Sequence, residues 1–253
     1  MSLVTLDQVN FAYSANRPTL TDISLAIAPG TSLGLVGESG SGKTTLLRLL
    51  LGLAKPTSGR ISFDGAALDL GNAGFMRGFR RQVQAVFQDP YSSLDPRQNV
   101  RRIVSEPLRA LRLPGNHPAM VDAALVAVGL EPLVATRYPH EFSGGQRQRI
   151  AIARAIVGKP RLLLADEAVS ALDLSTRIRI IELLKTLAAD MTLVFVSHDL
   201  GAVAALCDEV AILERGRLVE TGPTRKILTA PQHPYTRALL SSVPRMPVTT
   251  KEA

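Results

Sequence analysis

The chain has 253 residues, 46% of them hydrophobic, enough to bury a sizeable core as one large domain or one domain with an insertion. Its longest apolar runs, Leu46 to Ala54 and Ala123 to Leu130, are too short or too broken by Arg48, Gly52 and Gly129 for a membrane span of roughly 20 residues. The single cysteine, Cys207, excludes an internal disulfide and a cysteine metal cluster, and a formal charge of +7 with scattered aromatics offers no stacking platform for nucleic acid.

Met1 to Asp7 lacks the basic start and apolar stretch of a secretory signal, so a cytoplasmic location is expected. Alternating patterns predict short strands over Val4 to Phe11 and Ile23 to Ala28, then a turn at Ala28-Pro29-Gly30 and a buried strand over Ser32 to Val36. A glycine-rich loop follows, then a helix over Lys43 to Leu53 with a continuous leucine face that Gly52 loosens near its end. Further strands are predicted at Arg60 to Phe63 and Val83 to Phe87. The stretch from Arg77 to Arg112 holds eight arginines and reads as a solvated basic face.

From Asp89 to Ala155 the pattern is helical, around Val100 to Leu111 and Ala119 to Gly129, which marks an inserted helical subdomain. Strands return at Leu162 to Ala165 and Thr192 to Val196, separated by a helix over Ser175 to Ala189, the order of a β-α-β unit. Ala211 to Val219 reads as a hairpin around Glu214-Arg215-Gly216, followed by a short proline-rich helical tail. The fold class is therefore α/β: a P-loop core with a mainly parallel sheet over residues 1–88 and 156–228, an N-terminal antiparallel β subdomain, a helical insert over 89–155, and a tail over 229–253.

Gly37-Glu38-Ser39-Gly40-Ser41-Gly42-Lys43-Thr44 fits a P-loop between a strand and a helix. Its backbone N–H groups and the helix N-terminus can face phosphates, Lys43 can reach the β and γ groups, and Thr44 offers a hydroxyl to Mg²⁺, with Thr45 beside it. Asp166 and Glu167 end a second apolar strand, where sheets of this kind bind ligands. Asp166 suits a Mg²⁺ contact, usually through a water, and Glu167 suits polarising an attacking water. ATP and Mg²⁺ are the expected ligands.

Phe142-Ser143-Gly144-Gly145-Gln146-Arg147-Gln148-Arg149 resembles the signature of the ABC transporter ATPases. Ser143 and the following amides, Gly144, Gly145 and Gln146, open a helix and so form a second anion site with no phosphate to serve in their own subunit. The order Tyr13, P-loop, Gln88, signature, Asp166-Glu167, Ser170-Ala171-Leu172-Asp173 and His198 is similar to that family over almost the whole chain. The resemblance implies that Tyr13 stacks on adenine, Gln88 touches Mg²⁺ and the attacking water, Asp173 lies in the dimer contact and His198 meets the γ-phosphate. Tyr13, Gln88 and His198 each have a plainer alternative: a core aromatic, a polar strand end and a satisfied loop histidine.

Val86 to Arg97 and His233-Pro234-Tyr235-Thr236-Arg237-Ala238-Leu239-Leu240 resemble the peptide, nickel and opine importers. That implies two transmembrane permease subunits, a second ATPase subunit of a different chain, an extracytoplasmic solute-binding protein acting indirectly, and a peripheral place on the cytoplasmic face of a bacterial inner membrane. Ala168 and Val169 stand where many relatives carry Pro and Thr, and the C-terminal cysteines of some peptide importers are missing. A soluble ABC protein acting on ribosomes or DNA, a small-molecule kinase and an exporter ATPase are the competing readings, and one motif set, a short helical insert and the signature helix weigh against the first two.

Overall fold

A computed structural model of the chain describes residues 2–14, 17–89 and 93–242. Pro90, Tyr91 and Ser92 of the importer-like stretch, and residues 243–253 of the tail, lie outside the described residues.

Five central strands carry apolar residues on both faces, which is the mark of a sheet covered on both sides. They are β3 (Ser32–Val36), β6 (Val83–Val86), β7 (Leu162–Asp166), β8 (Thr192–Ser197) and β9 (Glu209–Glu214), and with β10 (Arg217–Pro223) they form a sheet in the order β10-β9-β3-β8-β7-β6. All neighbouring pairs are parallel except the β9–β10 hairpin. Side-chain alternation divides this sheet between two hydrophobic cores: Leu162, Leu164, Val194 and Val196 face one, and Leu163, Ala165, Leu193 and Phe195 face the other.

The first core is closed by a second, antiparallel sheet of β1 (Val4–Ser14), β2 (Arg17–Ile27), β4 (Ser58–Phe63) and β5 (Ala66–Ala67), in the order β2-β1-β4-β5. Between the sheets run α1 (Lys43–Leu50), which buries Leu46, Leu47, Leu49 and Leu50, and α2 (Ala73–Gln82), which buries Met76 and Phe79. The second core joins α3 (Val100–Val104), α4 (Glu106–Ala110), α5 (His117–Ala127), α6 (Gly144–Ile156), α7 (Leu174–Ala188), α8 (Leu200–Leu206) and α9 (Thr224–Thr229), with α10 (Pro234–Ser241) packed on its edge through Tyr235, Leu239 and Leu240. The α/β class is as expected.

Several boundaries differ from the sequence expectations. α1 stops at Leu50, three residues early, because Gly52 takes φ 63° and the amides of Gly52 and Leu53 turn back to the carbonyls of Leu49 and Arg48 at 3.0 and 2.9 Å. This C-terminal cap satisfies the last carbonyls of the helix. The helical pattern over 100–111 splits into two at Ser105, since Pro107 has no N–H to continue the first helix. The first two strands are longer than their alternation suggested, and β1 runs on through Tyr13. Helices α2 and α8 were not foreseen.

In the basic stretch Arg77, Arg80, Arg97, Arg102, Arg109 and Arg112 are exposed, in keeping with a solvated face, and a few of the arginines also reach the protein's own groups. Arg81 donates to the Leu111 carbonyl, Arg109 to that of Arg102, and Arg101 pairs with Asp122 at 3.2 Å. Cys207 is buried, and burial pushes its thiol up to about 12, as suits an unreactive packing residue.

Candidate active site

Parallel strands end on the same edge of a sheet, so the topology gathers residues that lie far apart in sequence. The P-loop follows β3, Gln88 follows β6, Asp166 ends β7 with Glu167 next, and His198 follows β8. Glu38, Ser39, Gly40, Gly42, Lys43, Thr44, Thr45, Gln88, Asp166, Glu167 and His198 line one cavity of about 790 Å³, joined by Thr19 of β2. Thr19 carried no sequence signal, because it enters from the other sheet.

Two of the loop residues, Gly37 and Ser41, stand behind the lining. A Cβ on Gly37 would lie 2.2 Å from the Leu213 carbonyl oxygen, so this position needs glycine for the loop to seat against β9. The Gly216 amide donates to the Ser41 carbonyl at 2.9 Å, fastening the loop to the β9–β10 turn. The Ser41 hydroxyl is buried without a hydrogen-bond partner. Lys43 is 7% exposed and donates to the carbonyls of Gly37 at 2.7 Å and Glu38 at 2.8 Å. Burial lowers its pKa, while Glu167, Asp166 and Glu38 oppose the shift.

The acidic side is equally constrained. Burial holds the Asp166 carboxyl above its usual range, Glu167 adds to the rise and Lys43 counters it. Glu167 has φ 45°, the left-handed region that side-chain-bearing residues rarely adopt, and its amide donates to the Val196 carbonyl at 2.9 Å. Its Oε1 lies 3.2 Å from His198 Nδ1. Ala168 and Val169, the departures from the family pattern, are both buried and belong to the helical-side core.

Tyr13 sits beside the cavity, outside its lining. It is 60% exposed, packs edge-on against Phe11 and has its hydroxyl 3.3 Å from Thr45 Oγ1 and 3.1 Å from an Arg48 nitrogen. The core-aromatic alternative therefore fails.

A second cluster lies apart from this cavity. Ser143 caps α6 by accepting from the Gln146 amide at 3.3 Å, and the Ser143 amide in turn donates to the Gln146 side-chain oxygen at 3.0 Å. Gly145 abuts α7, where an added Cβ would come 2.3 Å from Thr176 Cγ2. Asp173 caps α7, and the Ser175 hydroxyl, then the Thr176 amide and hydroxyl, hold its carboxyl well below the usual carboxylate range. None of Ser143, Gly144, Gly145, Gln146 or Asp173 lines the P-loop cavity.

The residue types fit a magnesium-bound nucleotide. Lys43 and the loop amides suit phosphate, and the orphaned Ser41 hydroxyl has capacity to spare. Thr44, Gln88 and Asp166 supply only oxygen ligands, as a hard cation needs. Among the described residues no group of three or more His, Cys, Asp or Glu could hold a metal ion.

The family model described as "ABC transporter" matches residues 20–170, more than half of the chain. The chain belongs to the ABC transporter ATP-binding family. A second model, "Oligopeptide/dipeptide transporter, C-terminal region", matches residues 219–253. The glutathione import ATP-binding protein GsiA of Salmonella typhimurium is 50% identical over 227 residues, covering 88% of this chain and 36% of that protein. GsiA of Escherichia coli K12 is 50% identical over 226 residues with the same coverages. The chain thus spans about a third of the length of these curated relatives.

Among solved ABC structures, cbiO1 from Clostridium perfringens, part of the cbiONQ transporter complex, superposes with a TM-score of 0.83 at 29% identity over 90% of this chain and 91% of that one. The ABC ATPase MJ0796, solved as a dimer with ADP and phosphate, gives 0.76 at 29% identity over 88% and 99%. Among the described residues no helix is long and apolar enough to cross a membrane.

Proposed function

We propose that this chain hydrolyses ATP to ADP and phosphate and so powers an ABC importer, with a short peptide as the solute class best supported and nickel as the alternative. The observation that carries the reading is the convergence of Lys43, Thr44, Gln88, Asp166, Glu167 and His198 on one cavity at the carboxyl edge of the parallel strands. Similarity to the glutathione import proteins and to the oligopeptide C-terminal model supports the solute class.

In this reading Lys43 and the amides from Gly40 to Thr45 hold the triphosphate, and Tyr13 stacks on the adenine. Thr44, Gln88 and Asp166 would hold Mg²⁺, which would supply positive charge to neutralise phosphate oxygens. Glu167 accepts a proton from the water that attacks the γ-phosphorus, and His198, already within reach of that carboxylate, orients the γ-phosphate. Ser143, Gly144, Gly145 and Gln146 serve the nucleotide of a partner ATPase subunit, because in this chain they stand away from the cavity. Asp173, at the start of α7 beside them, lies in that contact.

ATP binding would close the two ATPase subunits together and hydrolysis would reopen them, and two transmembrane subunits would receive that motion, on the cytoplasmic face of a bacterial inner membrane, with an extracytoplasmic solute-binding protein upstream. Exposed Leu53 and Phe87 line a shallow apolar groove beside the Gln88 strand end, a surface suited to a docked segment of a membrane subunit. The ATPase partner is proposed to be a different chain. Replacing Glu167 by Gln is expected to cut turnover about 10²- to 10⁴-fold while ATP still binds, and the variant should retain its membrane and ATPase subunits more tightly during purification from membranes with ATP and Mg²⁺. Unchanged turnover would remove Glu167 from this role, and recovery with ribosomal or DNA-bound partners would replace the importer reading.

A further inference from the structure

The importer-like stretch from His233 to Leu240 has no assigned task, yet it reaches the P-loop. β10 supplies the anchor: the Glu220 carboxylate accepts the Gln232 amide at 2.8 Å and the His233 amide at 3.1 Å. His233 Nδ1 then accepts the Tyr235 amide at 3.2 Å and caps α10. Tyr235, half-buried on the edge of the helical-side core, points its hydroxyl at the loop, where it accepts the Glu38 amide at 3.1 Å.

Glu38 lies between the two ends of the loop's support. Gly37 before it is pressed on the Leu213 carbonyl, and Ser41 after it is fastened by the Gly216 amide. The Glu38 carbonyl is one of the two acceptors of the Lys43 ammonium, so a peptide unit whose position fixes Lys43 is adjacent to the one that Tyr235 holds. Burial raises the phenol's pKa, the hydrogen bond from the Glu38 amide opposes the rise, and the charges of Glu38 and Glu214 add to it, so the phenol stays protonated.

We propose that Tyr235 is a positioning residue for ATP: its hydroxyl fixes the leading half of the phosphate loop and makes the C-terminal helix part of the nucleotide site. The proposal rests on the ATP-binding reading of the cavity. A backbone amide deprived of its acceptor turns to solvent, and the loop then spends part of its time in arrangements that do not receive phosphate, which lowers apparent affinity by the fraction lost.

Tyr235→Phe keeps the ring and removes only the hydroxyl. In the full-length chain, binding of a fluorescent ATP analogue with Mg²⁺ is expected to weaken about three- to tenfold, the range of one hydrogen bond. KM for ATP should rise by a similar factor and by more than turnover at saturation falls. The nucleotide-free melting temperature should move by no more than about 2 °C, as for a change with little effect on the core. Unaltered affinity, or a lowered melting temperature with unaltered affinity, would overturn the proposal and leave Tyr235 as packing. If the wild type itself failed to bind the analogue while a Lys43→Ala control behaved identically, the ATP reading would fall instead.

Discussion

At the scale of single residues, the cavity works by holding charges where water no longer screens them well. Lys43 is satisfied by two loop carbonyls before any ligand arrives, so its ammonium is already aimed and phosphate replaces neutral acceptors with charged ones. Asp166 illustrates the opposing cost. Its pKa is raised in the folded chain, so its contribution to stability is greatest below the unfolded pKa and is lost as pH rises through the folded value. At neutral pH the ionised carboxylate therefore opposes folding. Asp166→Asn is expected to raise the melting temperature of the nucleotide-free protein, with the gain vanishing toward pH 4, while Mg²⁺-dependent turnover is abolished. Calorimetry across that pH range checks the first part, and phosphate release the second.

The element scale explains what could be read from the sequence. The strand-loop-helix unit around Lys43, the acid pair at the end of β7 and the serine cap of α6 were legible because each is written in consecutive residues. Helix α2 was not. Its buried Met76 and Phe79 sit among arginines, whose charge masked the apolar face. Thr19, Arg48 and the Tyr235 hydroxyl were also hidden, since they join the site across separations that no local pattern records, 197 positions for Tyr235 and Glu38.

The contact of α6 with α7 belongs to the same scale. Gly145 leaves no room for a Cβ beside Thr176, so Gly145→Ala must push the signature helix from its neighbour. A destabilisation of about 1–3 kcal/mol by urea unfolding is expected, and Thr176→Ser, which removes the obstructing methyl, should restore much of it in the double variant.

For the molecule as a whole, two cores on either side of one sheet make the P-loop edge rigid, while Ser143 and Asp173 stand off that edge in the helical half. The cavity is thus furnished on one side only, and the proposed closure needs the signature face of a second ATPase. Ser143→Arg places bulk and charge on that face. It should leave ATP binding to the separate chain within about twofold and abolish ATP-dependent pairing with the cognate ATPase chain, as read by light scattering, because the helix cap and the contact are lost together.

The left-handed backbone at Glu167 has one more implication. Glycine or asparagine tolerates that geometry better than glutamate does. Selection for heat resistance alone would favour those replacements, and the hardiest descendants of this chain would be the ones that had given up the carboxylate at the γ-phosphate.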